Sequence, residues 1–303
     1  MPTSSSLSNC YIPLPYIDDK DDSSAHILSL NYKRSSGDGG ETPRSDKALR
    51  RLVLQRSILS SSSGSSSVEM GHTKVLCAVH GPRQQSTLDP SGSSSSSNNN
   101  SNGLICQVRY APMFGIRPTT QVLQQPTSLD SLGRTSGSPT VSDLEIELSA
   151  RVLDAISPAI PLFIFTSSKC VIDIFCMIVQ DDGSALAACI TAASLALADG
   201  GIEMYDLVSC CSTAIMMKPL TTTSSSTTNT INKTVLFLDP SEDEIQKSQG
   251  VVTVALMKNW KEINLWNQVG RLTPDVATEA LDLCKDGCVT MHKFMRQALV
   301  GLK

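Results

Sequence analysis

Strand and helix signals alternate along this chain, and together they predict a fold of mixed α and β structure. Three stretches carry that expectation. Residues 170–211 read CVIDIFCMIVQDDGSALAACITAASLALADGGIEMYDLVSCC. A β-branched and aromatic run (171–179) meets a polar turn, Gln180-Asp181-Asp182-Gly183-Ser184. An Ala/Leu-rich segment (185–198) then ends at Gly200-Gly201, and a second apolar run follows over 207–211. Short β-branched runs read as buried strands, and a long Ala/Leu segment reads as a helix buried on most faces. The second stretch, residues 67–83, reads as two strands turning at Gly71-His72. The third begins at Pro274, after which Ala280, Cys284, Cys288, Met291, Met295 and Ala298 recur every three or four residues, as on one face of a long helix.

Taken in order, residues 1–41 mix Ser, Asp and Pro without periodicity and are expected to form a disordered tail. Its acidic stretch, Asp18-Asp19-Lys20-Asp21-Asp22, reads as solvated. A single domain is expected over 42–303. It opens with the strand Leu52-Val53-Leu54, a serine-rich link over 60–67, and then the hairpin. Three low-complexity insertions, at about 86–102, 115–141 and 219–232, are expected to be flexible; the first contains SGSSSSSNNNSN. Between them lie a strand over 104–110 and a helix over 143–156. Ser142 is placed to cap that helix, Leu144, Leu148, Val152 and Ile156 form its stripe, and Pro158 ends it. After the central unit, strands are expected over 234–238, 251–257 and 263–269. Asp275 near the start of the final helix, and Lys293 and Arg296 near its end, suit the helix dipole. Its Met/Cys stripe reads as core packing.

The chain has 303 residues, 40% of them hydrophobic, enough to bury a good core. Aromatic residues make up only 4%, so base-stacking platforms are not advertised. A net charge of −4 and a pI near 5.6 argue against an autonomous nucleic-acid binder. The ten cysteines include no CxxC pair and sit mostly in apolar runs, which predicts buried free thiols in a reducing compartment. No secretory signal pattern and no apolar run of membrane-spanning length appear, so a soluble cytoplasmic or nuclear protein is expected, with no membrane partner.

The turn at 180–184 matters chemically, because a helix starting there leaves backbone N–H groups free for an anion. Other sites are not signalled. The four histidines, His26, His72, His80 and His292, show no ligand spacing, so no metal and no cofactor is expected. There is no GxSxG elbow and no GxxxxGK[ST] loop. Asp173 reads as a structural or partner-facing residue in an Ile/Phe strand. Asp182 reads as a cap for the central helix. Glu242-Asp243-Glu244 reads as a solvated charge run on a loop.

The pattern IDIF…QDDGSALAA…LALADGGIEMYDLV, the hairpin SVEMGHTKVLCAVHGPR and the strand LICQVRYAP resemble the ribonuclease PH family, the phosphorolytic exoribonucleases and their exosome relatives. The segment from Arg44 to Arg51 is similar to the family's opening. The resemblance implies an α+β fold in which βαβα halves form mixed sheets backed by helices. In active members, Gly-Thr-Arg after the Asp-Gly turn holds the attacking phosphate. Here Ser184, Ala185 and Leu186 occupy those places. Leu cannot donate the forked, charge-assisted hydrogen bonds that an Arg gives a phosphate. Phosphorolysis also needs a pair of carboxylates. The family's first carboxylate position falls on Asp239, which before Pro240 reads as a turn residue; the second falls on Gly250.

The signatures DDGSALA, GIEMYDLV and LDP followed by TVALM resemble most the catalytically silent type of exosome ring subunit. That implies a non-catalytic structural subunit supporting 3′-to-5′ RNA processing and degradation, including rRNA maturation and decay of mRNA and noncoding RNA. The implied partners are other RNase PH-like ring subunits, RNA-binding cap subunits, and single-stranded RNA threading the assembled pore. The implied location is the nucleus and nucleolus, and also the cytoplasm. Arg83, Arg109 and Arg117 are the candidates for phosphate contacts, at strand ends or in loops. The alternatives are an active phosphate-dependent 3′–5′ exoribonuclease and a homo-oligomeric interaction protein unrelated to RNA.

Overall fold

A computed structural model describes residues 44–84, 103–111, 141–163, 170–224 and 227–300. The expected tail and the first two expected insertions lie outside these residues, except for Val141, which opens a helix.

The first sheet has the order β1-β2-β3-β5-β4. It contains β1 (Leu52–Arg56), β2 (Gly64–Met70), β3 (Thr73–Gln84), β4 (Leu104–Tyr110) and β5 (Cys170–Gln180). Neighbours are antiparallel except β4 and β5, which run parallel. A parallel neighbour needs a crossover, and helix α1 (Val141–Ile156) lies in it, with Val152 and Ile156 buried. A 3-10 turn at Ser157–Ala159, with Pro158 in its first positions, closes that helix.

The second sheet, β7-β6-β8-β9, contains β6 (Val208–Ser224), β7 (Thr227–Leu238), β8 (Gly250–Met257) and β9 (Glu262–Gly270). It is antiparallel throughout, so the expected mixing of strand directions is confined to the first sheet. Of the expected insertion at 219–232, the described residues 219–224 and 227–232 continue β6 and β7, with Thr221 paired to Thr230 and Thr222 to Asn229. Polar composition suggested a loop, but β-branched threonine fits a pleated ladder.

Helix α2 (Ala185–Asp199) packs against β2 and β3 of the first sheet and β6 of the second, and every residue from Ala185 to Leu197 is buried. Small residues permit this close approach. A Cβ added at Gly64 would lie 2.3 Å from the Ala196 carbonyl oxygen. The serine-rich link over 60–67 is corrected in the same place, since Ser65, Ser66 and Ser67 belong to β2 and are buried. Ser66 Oγ donates to the Ala192 carbonyl at 2.7 Å, so its polarity is satisfied inside the core.

Helix α4 (Pro274–Val300) backs the second sheet with the expected stripe, all of it buried. Asp275 lies in its first turn, whereas its last turn has no basic residue. Helix α3 (Glu242–Lys247) replaces the expected solvated loop.

Candidate functional site

The turn between β5 and α2 is held from below by a residue that the sequence reading did not single out. The guanidinium of Arg50, 3% exposed, donates to the carbonyls of Asp182 at 2.7 Å and Gly183 at 3.1 Å. Thr73 Oγ1 donates to the Gly183 carbonyl at 2.8 Å and accepts from the Asp182 N–H at 3.0 Å. Asp181 Oδ1 accepts the Gly183 N–H at 3.1 Å. Gly183 has φ +83°, and an added Cβ would lie 2.8 Å from the Glu242 nitrogen, so glycine is required both for conformation and for space. Asp182 is not the helix cap. The cap position is Ser184, left-handed at φ 59°, and its hydroxyl donates to the Pro240 carbonyl at 3.2 Å instead of to the helix.

Asp239 is a clamp partner. Its two carboxylate oxygens accept from Arg50 Nη2 at 2.8 Å and the Arg50 N–H at 3.0 Å, while Arg44 Nη2 donates to its carbonyl at 3.0 Å. Burial pushes the Asp239 carboxyl up, but the Arg50 charge and hydrogen bonds, helped by Arg44, outweigh it and hold it below the usual range. Asp239 does sit at a turn, with φ 50°, but it is 2% exposed and tied to a residue 189 positions away. Beside it, α3 starts with a capping box. Glu244, buried, accepts from the Ser241 N–H at 3.0 Å and from Arg44 at 3.4 Å. Gly250 is constrained by its neighbours, because an added Cβ would lie 2.8 Å from the Val269 carbonyl oxygen.

Above the turn lies a cleft of about 220 Å³ between α1, α3, β8, β9 and the start of α2. Ser184, Ala185 and Leu186 line it, together with Leu144, Leu148, Ile245, Val251 and Val269. Its charged groups among the described residues are Glu147, Asp181 and Glu242 against one guanidinium, Arg151, which stands 3.9 Å from Glu147. Burial raises the Asp181 carboxyl, and Asp182 adds to this, although the Gly183 N–H, the Tyr110 hydroxyl and Arg50 ease it. Burial also raises Glu242, with Asp181, Asp182 and Asp243 adding to it against the Gln246 hydrogen bond. Tyr110 donates to Asp181 at 3.2 Å, and burial and that carboxylate drive its hydroxyl far up. Leu186 faces this cleft, and Arg50 is spent on the clamp, so an anion at the helix start would meet carboxylates.

Two of the three expected RNA-contact arginines lie among the described residues. Arg83, at the end of β3, forms an ion pair with Asp173 across to β5. Arg109, on β4, is exposed. Arg117 lies outside the described residues. Among the described residues, no three His, Cys, Asp or Glu side chains form a group that could hold a metal.

Residues 48–203 match the RNase PH family, described as the "3′ exoribonuclease family, domain 1". The chain belongs to that family. Exosome complex component MTR3 from Homo sapiens is 32% identical over 274 residues, covering 88% of this chain and 88% of that protein. Exosome complex component Rrp41 from Nitrosopumilus maritimus is 28% identical over 273 residues, covering 90% of this chain and 92% of that protein. The crystal structure of rice Rrp46 superposes with a TM-score of 0.58 at 18% identity, covering 84% of this chain and 98% of that one. That likeness concerns the fold, which is the RNase PH-like α+β arrangement expected from the motifs. Within the family frame, Arg44 and Arg50 from the opening segment secure the turn and Asp239, and none of the three lines the cleft.

Proposed function

We propose that this chain is a non-catalytic structural subunit of an exosome core ring, supporting 3′-to-5′ RNA processing and degradation in nucleus, nucleolus and cytoplasm. The cleft carries the reading. Where active relatives of the family place Gly-Thr-Arg, this chain presents Ser184, Ala185 and Leu186 to a cleft whose described residues include three carboxylates and one guanidinium. A second carboxylate at Gly250 has no room without a shift of β9. The exosome assignment draws on the names of the relatives, MTR3 and Rrp41, each aligned over most of its length.

Surface features support assembly. Strand β9 is a sheet edge with Ile263, Trp266 and Val269 exposed. Tyr205 and Trp260, both about half exposed, stack as a tilted pair 5.8 Å apart. Unpaired edges and apolar patches of this kind are what a subunit with neighbours retains. The proposed neighbours are other RNase PH-like ring subunits and RNA-binding cap subunits. Single-stranded RNA would run through the shared pore, with exposed Arg109 a candidate phosphate contact and Arg83 already committed to Asp173.

The test is an exoribonuclease assay on the purified chain, with single-stranded RNA, Mg²⁺ and inorganic phosphate. No release of nucleoside diphosphates is expected, whereas phosphate-dependent release overturns the reading. Native mass spectrometry of complexes purified through a tagged chain should show paralogous ring subunits. A free chain that is monodisperse and binds RNA as tightly as the assembly would count against the ring role.

A further inference from the structure

We infer that the cleft at the start of α2 has changed ligand class: it takes a Lys or Arg side chain flanked by aliphatic residues, on a segment of a partner protein. This rests on the silent-subunit reading above. The argument is charge complementarity over an apolar floor. Among the described residues, three carboxylates, Glu147, Asp181 and Glu242, share the cleft with only Arg151. Glu242 sits in the first turn of α3, and among the described residues its side chain has one partner, Gln246 Nε2 at 3.3 Å. A carboxylate has room for about four hydrogen bonds, so most of that capacity is open. Asp181 is committed to the Gly183 N–H and the Tyr110 hydroxyl, yet it remains a half-buried carboxylate that no guanidinium among the described residues contacts within hydrogen-bonding distance.

Burial raises both Asp181 and Glu242, so a cation entering between them stabilises the charged form of each. Inorganic phosphate or an RNA phosphate would do the reverse. A bare metal ion is a poor match, because no three ligating side chains converge among the described residues. A free polyamine would leave the floor of Leu148, Leu186, Ile245 and Val269 unused. A peptide segment satisfies both halves, its methylenes and aliphatic neighbours on the floor and its charged head at the carboxylates.

The test uses the full chain and a fluorescein-labelled hexapeptide, Leu-Lys-Leu-Ile-Arg-Leu, followed by fluorescence anisotropy. Saturable binding is expected. Glu242→Gln should weaken it about tenfold, Glu147→Lys should weaken it in the same direction, and raising salt should weaken both electrostatic components. Glu242→Gln keeps its helix position, and an unchanged melting temperature shows that the loss is local. Equal binding of a peptide with Glu in place of Lys and Arg overturns the inference, as does displacement of the peptide by inorganic phosphate. Spermidine binding as tightly as the peptide overturns the protein-segment assignment. The RNA assay on the same preparation keeps the two readings apart. Phosphorolysis sinks the silent-subunit reading, whereas no phosphorolysis together with no peptide binding sinks this inference alone.

Discussion

Replacing Asp239 with Asn should destabilise the chain through the clamp. The carboxylate accepts two hydrogen bonds from Arg50, at 2.8 and 3.0 Å, and both side chains are about 3% exposed. Asn keeps the shape and one acceptor but leaves the Arg50 charge buried with only carbonyls and the more distant Asp182 carboxylate at 3.6 Å. Breaking a buried pair by removing one partner costs about 3–5 kcal/mol. For a domain of this size, that corresponds to a fall in melting temperature of roughly 6–20 °C. The acid dependence gives a second readout. Asp239 is held below its usual range, so its contribution is fully present above the unfolded value near ~3.9 and is lost as pH falls through the folded value. The wild-type advantage over Asp239→Asn should therefore be constant near neutrality and shrink below about pH 4. Urea unfolding of wild type, Asp239→Asn, Arg50→Met and the double variant completes the cycle, with a coupling of roughly 0.5–3 kcal/mol expected. A midpoint for Asp239→Asn within error of wild type, or additive single effects, would refute the clamp.

Two further outcomes follow from packing and titration. Gly64→Ala should cost more than the ~1–3 kcal/mol typical of overpacking, because the new methyl meets the Ala196 carbonyl and the Gly200 nitrogen, each at 2.3 Å, and neither is a side chain that can move aside; denaturant midpoints measure it. His292 is buried, 3.4 Å from Asp206, and burial lowers its pKa against the pull of that carboxylate, with Lys258 and Arg296 adding to the lowering. A folded value below the unfolded ~6.5 means that stability falls as pH drops from there through the folded value. His292→Gln should flatten that slope between pH 7 and 5 in thermal melts.

What the sequence revealed depended on whether the signal was local. Helix α2 was legible to within a residue because fourteen residues between two glycine-containing turns, all apolar but Thr191 and Ser194, admit few other structures. The α4 stripe and the β2–β3 hairpin were equally local. The serines of β2 were misread because burial was inferred from polarity, while their hydroxyls find partners in the core, as Ser66 does on Ala192. Helix α3 carried a readable signal that charge obscured, since Ser241 followed by Glu244 is a capping-box pattern. The Arg50 clamp had no local signature. Its partners lie 132, 133 and 189 residues away, and nothing in the neighbourhood of Arg50 points to them. The cleft's acidity was hidden for the same reason, because Glu147, Asp181 and Glu242 come from three separated elements.

The acidic cleft should also resist conversion into a phosphate site. Leu186→Arg supplies a guanidinium at the helix start, and Ala185→Thr beside it supplies a hydroxyl. The new guanidinium would enter a cleft in which Asp181 and Glu242 already hold negative charge in a partly buried setting. A carboxylate fixed in the protein competes better than a dissolved phosphate, because it requires no loss of translational freedom on binding. The arginine should therefore pair with the carboxylates, pulling both back toward the ordinary acidic range instead of gripping an anion. Carboxyl ¹³C titration of the Ala185→Thr/Leu186→Arg variant should show the Asp181 and Glu242 midpoints falling, while calorimetry with inorganic phosphate shows no saturable heat at millimolar concentration. Adding Glu242→Gln should free the arginine in part and let weak phosphate binding emerge. Tight phosphate binding by the double variant alone would show that the charge around these positions does not exclude an anion.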